Sequence, residues 1–171
     1  MAPRASGARS SAATVGAAVR VGVISDTHGL VRPQALDALR GSDHIIHAGD
    51  IGSAAVLEAL RQIAPLTAVR GNNDGGAWAQ GLPETEAVEI GGVWLYVLHD
   101  VNGLDLEPTA AGFAAVIAGH SHRPLVERRR GTLFINPGSA GPRRFTLPIA
   151  LAEVRIAAGA IDANIVTLTV D

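Results

Sequence analysis

Short apolar runs recur along this chain, and each gives way to a loop rich in Gly, Asp, Asn or His. The first run, Val21-Gly22-Val23-Ile24-Ser25, is too short for a helix and does not alternate with polar residues. It predicts a strand buried on both faces. Pro33 opens a helix to Arg40 at a first-turn position where proline is tolerated, and Gly41 ends it. Asp43 to Ala48 reads as a second strand. Ser53 is a good N-cap for a helix to about Ile63, and Leu66 to Val69 reads as a third strand. This β-α-β-α-β order predicts a parallel sheet.

The second half of the pattern is different. Glu86 to Ile90 and Val93 to Leu98 flank Gly91-Gly92, a two-residue hairpin signal. Ala114 to Ala118 is a further short apolar strand. Leu125 to Arg129 and Thr132 to Ile135 flank Arg130-Gly131. Ile149 to Ile156 and Ile161 to Thr169 flank a turn at Ala158-Gly159. The expected fold is therefore an α/β sandwich of two mixed β-sheets flanked by helices.

Composition narrows the function more than the fold. A chain of 171 residues with 47% hydrophobic and 18% charged residues suits one globular domain. Aromatics are only 4%, so Ala, Val, Leu and Ile must build the core. A net charge of -2 argues against general nucleic-acid binding, which usually needs a basic face. Lysine is absent, and with Ala and Gly abundant this reads as compositional bias. There is no cysteine, so any metal must be held by nitrogen and oxygen. No apolar stretch is long enough to span a membrane, so no membrane partner is expected.

Residues 1–19 are rich in Ala, Ser and Gly, carry Arg4 and Arg9, and contain no acid. Transit peptides share that composition, but the continuous apolar segment of a secretory signal is missing. They read as a disordered N-terminal extension to a domain over 20–171, in a cytoplasmic protein.

Metal-ligand chemistry gathers at the ends of the strands. Asp26-Thr27-His28, Gly49-Asp50, Gly71-Asn72-Asn73-Asp74, His99 and Gly119-His120-Ser121-His122 follow strands in that order, and Asn136-Pro137-Gly138-Ser139 closes the series. Singly, an Asp after a strand is a turn former, and Gly-Asn-Asn-Asp is a tight turn. Two histidines two residues apart are harder to explain by packing. Jointly, ligands in open α/β sheets bind beyond the carboxyl ends of the strands, where these blocks converge. Imidazole and oxygen donors suit manganese, iron and zinc.

This series resembles the signature of the calcineurin-like metallophosphoesterases, and most closely their small single-domain phosphodiesterase branch in bacteria and archaea. The resemblance runs from about Val21 to Val166, and Asn136 to Ser139 with Pro142-Arg143 strengthens it. It implies two divalent ions, with Asp26, His28 and His122 on the first, Asn72, His99 and His120 on the second, and Asp50 bridging them. Manganese is the first expectation; zinc, iron, nickel and magnesium also serve the family. The implied reaction is hydrolysis of a small phosphodiester, with Asp50, Asn73 and His120 nearest the chemistry and a water shared by the ions attacking phosphorus.

Two positions depart from the family pattern. Asn73 stands where many members have a leaving-group histidine; asparagine donates a hydrogen bond but delivers no proton at neutral pH. Good leaving groups, such as aryl esters, are therefore favoured. Asp100 stands where glycine is usual, and either adds charge at the ions or points to solvent. A catalytically weak protein-interaction scaffold of the same fold is the rival expectation. Exposed hairpins are compatible with a homo-oligomer. Of the remaining histidines, His44 is expected to face solvent at a strand start and His47 to be a satisfied core residue. Arg128-Arg129-Arg130 reads as a solvated hairpin tip.

Overall fold

Two five-stranded sheets face each other in the computed structural model of the chain, which describes residues 18–170. The elements of the first half are β1 (Val19–Ile24), α1 (Pro33–Leu39), β2 (His44–His47), α2 (Ala54–Arg61), β3 (Leu66–Ala68) and α3 (Ala77–Gln80). The second half holds β4 (Thr85–Ile90), β5 (Val93–Leu98), a 3-10 turn (Val101–Gly103), β6 (Phe113–Ile117), β7 (Leu125–Arg129), β8 (Thr132–Asn136), β9 (Ala150–Ala157) and β10 (Ala160–Thr167). One sheet has the order β10-β9-β1-β2-β3 and the other β4-β5-β6-β8-β7. Both are mixed: β1, β2 and β3 run parallel, as do β5, β6 and β8, and the hairpin partners run antiparallel.

The apolar pattern explains the layers. Along β1, Val21 and Val23 pack with Leu95, Val97, Ala115, Ile117 and Ile135 between the sheets. The alternate residue Ile24 joins Leu39, Leu57 and Leu60 of α1 and α2. A strand covered on both faces reads as a continuous apolar run. Gly22 completes it: a Cβ there would strike Leu39, so its absence lets α1 lie close to the sheet.

The three hairpins have two-residue loops with left-handed φ at both positions: 60° and 83° at Gly91 and Gly92, 51° and 87° at Arg130 and Gly131, 52° and 78° at Ala158 and Gly159. That matches the turn whose twist suits right-handed strands.

Some boundaries and placements differ from expectation. β1 begins at Val19, because Val19 and Arg20 pair with Ile156 and Arg155 of β9, a non-local contact that periodicity does not report. Residues 1–17 of the extension expected over 1–19 lie outside the described residues. α3 and the 3-10 turn are too short to leave a periodic signal. α1 and α2 both pack on the first sheet, with Trp78 of α3 against the same cluster. The outer face of the second sheet carries a small cluster of Leu98, Val116, Ala118 and Phe134, flanked by Tyr96 and Leu104. Among the described residues, no helix is long and apolar enough to cross a membrane.

Candidate metal centre

The loops after β1, β2, β3, β5 and β6 meet at one edge of the sandwich, and small residues let them meet. A Cβ on Gly119 would strike Ser25 Oγ and lie 2.6 Å from Asp26 Oδ2. Gly49 adopts φ of 100°, and a Cβ there would lie 2.7 Å from His99 Nδ1. Both glycines therefore admit a neighbouring loop where any side chain would block it.

Hydrogen bonds then aim the donors. Asp26 is fully buried. Its Oδ2 accepts from Ser25 Oγ at 2.8 Å and from the His120 amide at 3.0 Å, which leaves Oδ1 free to face the cleft. His99 Nδ1 lies 2.8 Å from the Ala48 carbonyl. That contact requires the proton on Nδ1 and turns Nε2 into a lone-pair donor. Asp50 Oδ1 accepts from the Asn73 amide at 2.9 Å and its Oδ2 from Asn73 Nδ2 at 2.8 Å.

The donor atoms converge. Asp26 Oδ1 lies 3.3 Å from His122 Nε2 and 3.9 Å from both His28 Nε2 and His99 Nε2. Asp50 Oδ2 lies 3.3 Å from His99 Nε2 and 3.9 Å from His28 Nε2. Two overlapping groups result, Asp26 with His28 and His122, and Asp26 with Asp50 and His99. Of these converging atoms, Asp26 Oδ1, His28 Nε2 and His99 Nε2 are buried and have no hydrogen-bond partner. Buried polar atoms are ordinarily paired. A cluster of lone-pair donors left unpaired fits a cation as the missing partner.

The electrostatics agree. Burial pushes the Asp26 carboxyl above its ordinary range despite His99, Ser25 and His122 beside it. Burial also opposes ionisation of Asp50, but His99 and Asn73 overcome it and hold that carboxyl below the usual range. Burial would lower His99, yet Asp50, the Ala48 carbonyl and Asp26 hold it above its ordinary value. Burial lowers His122, with Arg144 and His28 adding to the effect against Asp26. A divalent cation at the meeting point would supply the positive charge that an ionised Asp26 lacks there.

Asn72 and His120 stand further out. With His99 they line a cleft of about 290 Å³ beside the buried group. The His120 ring sits edge-on to His99 with centroids 5.1 Å apart, and its Nε2 lies 3.7 Å from Asp100 Oδ2. Asp100 also caps the 3-10 turn, accepting from the Asn102 amide at 3.0 Å. It is therefore held beside the cleft.

The bracing residues were largely invisible in the sequence. Asp74 accepts three backbone N–H bonds, from Gly71 at 2.9 Å, Gly52 at 3.0 Å and Ile51 at 3.1 Å, and so ties the Asp50 loop to the Asn72 loop. His47 is buried and satisfied as expected, bonded to Thr27 Oγ1 at 2.9 Å and accepting from the Gly49 amide at 3.1 Å. His44 does begin β2, but it is half-buried against Thr67 Oγ1 at 2.7 Å instead of facing solvent. Ser139 Oγ donates to the Asp26 carbonyl at 3.0 Å, which places the Asn136–Ser139 block under the site. An Asp after Asn-Asn is a turn former on pattern alone; only the carboxylate's three partners reveal its task.

Comparison with known proteins places this geometry in a family. A model of the calcineurin-like phosphoesterase superfamily domain matches residues 19–158. A probable metallophosphoesterase of Methanocaldococcus jannaschii is 35% identical over 138 residues, 73% of this chain and 70% of that protein. Among solved structures, an archaeal phosphodiesterase superposes with a TM-score of 0.71 at 23% identity, covering 86% of this chain and 99% of that one. Vps29 of Entamoeba histolytica in complex with Zn²⁺ superposes with a TM-score of 0.64 at 24% identity, covering 86% of this chain and 98% of its own.

Proposed function

The chain belongs to the calcineurin-like phosphoesterase superfamily, and from that premise we propose that it is a binuclear metal-dependent phosphodiesterase of the cytoplasm, acting on small phosphodiesters. Asp26, His28 and His122 would hold one ion and Asn72, His99 and His120 the other, with Asp50 between them. Manganese suits the nitrogen and oxygen donors best, with zinc, iron, nickel and magnesium as alternatives. The observation that carries this reading is the set of three buried donor atoms, Asp26 Oδ1, His28 Nε2 and His99 Nε2, left without partners at one point.

Two divalent ions there would neutralise charge on the phosphoryl oxygens and acidify a water. The protein's own groups supply position. Ser25 and the His120 amide fix the Asp26 carboxylate on its outer oxygen. The Ala48 carbonyl fixes the His99 tautomer. Asn73 gives one side-chain amide proton to Asp50 and has a second to donate. It has no proton to release to a departing alkoxide, so leaving groups that depart as stable anions react best. The charge of Arg144 reaches His122 and would favour an anionic substrate.

The test is reconstitution of metal-free protein with each cation, followed by turnover of bis(4-nitrophenyl) phosphate and 4-nitrophenyl phosphate, with Asp50→Ala as the blank. About two ions per chain and metal-dependent diester cleavage are expected. No uptake of transition metal would defeat the reading. Stoichiometric uptake with no turnover of any phosphoester would favour the scaffold role, to which the fold likeness to Vps29 lends support.

A further inference from the structure

The candidate metal centre does not open onto a flat face. Asp100 and His120 border the cleft that carries Asn72 and His99, and they also border a second cavity of about 320 Å³. The walls of that second cavity are of another kind: Val116, Ala118, Pro124, Leu125 and Phe134. Core packing accounts for Val116, Ala118 and Phe134. It does not account for Leu125 and Val101, which remain 40% and 39% exposed at the same cavity. Arg123 adds positive charge to the lining, and the Arg129 guanidinium, paired with Glu127 at 2.7 Å, stacks over the Phe134 ring, 4.6 Å from its centroid.

We propose that this cavity receives the organic substituent of the phosphoester, and that the chain selects phosphodiesters bearing an aromatic group. The inference rests on the phosphodiesterase reading and sharpens it. Ligand pockets commonly span about 300–1,000 Å³, so this cavity is sized for one aromatic system, not for a polymer. Sugar or glycerol hydroxyls pressed on these apolar walls would lose water without finding partners; of the polar side chains in the same lining, Ser121 and Asn136 already bond each other. An aryl face or a nucleobase would bury apolar surface there. The neighbouring Arg123 suits a group attached to a phosphate anion. His120 is the shared wall, so a substituent joined to phosphorus through one ester oxygen passes from cleft to cavity beside its ring.

The test keeps the leaving group constant, which removes leaving-group acidity from the comparison. With manganese-loaded protein, kcat/KM is measured for 4-nitrophenyl phenyl phosphate and 4-nitrophenyl methyl phosphate. The wild type is expected to prefer the phenyl ester by about tenfold or more. Leu125→Asp, and independently Val101→Asp at the cavity's other side, should each bring the phenyl-to-methyl ratio to within about twofold of one. Where a variant loses turnover, calorimetric binding of phenylphosphonate against methylphosphonate reads the same ratio. Turnover of both esters with equal kcat/KM in the wild type overturns the inference and leaves the phosphodiesterase reading intact. A phenyl preference that survives both substitutions also overturns it. No metal-dependent turnover of either ester removes the reading beneath it, and the inference with it.

Discussion

Asp74 offers the sharpest separation between holding the fold together and holding the site in shape. Its carboxylate accepts the amides of Ile51 and Gly52, which follow Asp50 on one loop, and of Gly71, which precedes Asn72 on the other. In Asp74→Ala all three bonds are lost. Gly52 is exposed, and water can replace its partner. Ile51 and Gly71 are buried, and each stranded amide costs about 1–3 kcal/mol. Metal-free protein should therefore lose about 4 kcal/mol. Asp74→Asn can set its one carbonyl oxygen where Oδ2 accepts from both buried amides and should lose only about 1 kcal/mol. If the carboxylate also sets the spacing of the two loops, metal affinity should fall by about 10–100-fold, as for groups that orient ligands. The loaded protein would then lose about 1.4–2.7 kcal/mol more than the metal-free protein, because bound metal stabilises only the native state.

Urea unfolding of wild type and both variants, with chelator and with saturating manganese, measures all four quantities. A loss in Asp74→Ala below about 1 kcal/mol would show that the amides find other partners. Equal losses with and without metal would show that Asp74 braces the fold and leaves the donors where they were.

Other consequences can be checked as directly. His47 is held at about 3 in the fold by burial, with His99 adding to it, so between that value and its ordinary 6.5 the unfolded chain binds a proton that the native chain does not. Stability from this residue is full above pH 6.5 and falls as the pH drops. About 2 kcal/mol should be missing at pH 5, seen as a steeper slope in wild type than in His47→Gln. Gly119→Ala should push Asp26 and Ser25 aside, costing about 1–3 kcal/mol and weakening metal uptake, read by calorimetric titration. Asn73→His should raise turnover of alkyl diesters by about 10-fold or more while aryl diesters gain little. Unchanged alkyl turnover would show that Asn73 does not limit leaving-group protonation.

What could be read in the sequence was what local pattern and turn chemistry control. The unbroken apolar run of β1, the left-handed turns at Gly91-Gly92 and Arg130-Gly131, and the chain positions of Asp26, Asp50, His99 and His122 all carry their cause in neighbouring residues. What could not be read depends on contacts distant in sequence. Val19 joins β1 only through β9, some 137 residues away by register with Ile156. Asn73 was visible as a weak proton donor, but not as the residue whose amide and side chain both bind Asp50. The cavity beside His120 needs β6, β7 and β8 side by side, and no segment of the chain announces it.

The backbone at the site carries a further signal that sequence conceals. Among the described residues, eight other than glycine have left-handed φ, and five of them are Asp26, His28, Asp50, His120 and His122. Each such conformation costs about 1–2 kcal/mol, so the five together cost about 5–10 kcal/mol, a sum comparable with the whole stability of a typical domain. The remaining three include Arg130 and Ala158 in hairpin turns, where the conformation closes a loop. At the candidate centre His28 and His120 also close turns, Thr27 to Leu30 and Gly119 to Ser121, but no backbone-to-backbone turn bond spans Asp26, Asp50 or His122. At Asp26 the bonds that sustain the conformation act on atoms facing away from the cleft, Oδ2 and the carbonyl, and the ring of His99, which is not among the five, is held likewise at Nδ1. Strain is thus held by groups that leave Asp26 Oδ1 and His99 Nε2 free. An arrangement of that kind fixes donor spacing before any ion arrives. Removing a brace such as Ser25 should therefore weaken metal binding without changing the donor set, whereas removing a donor should empty one position.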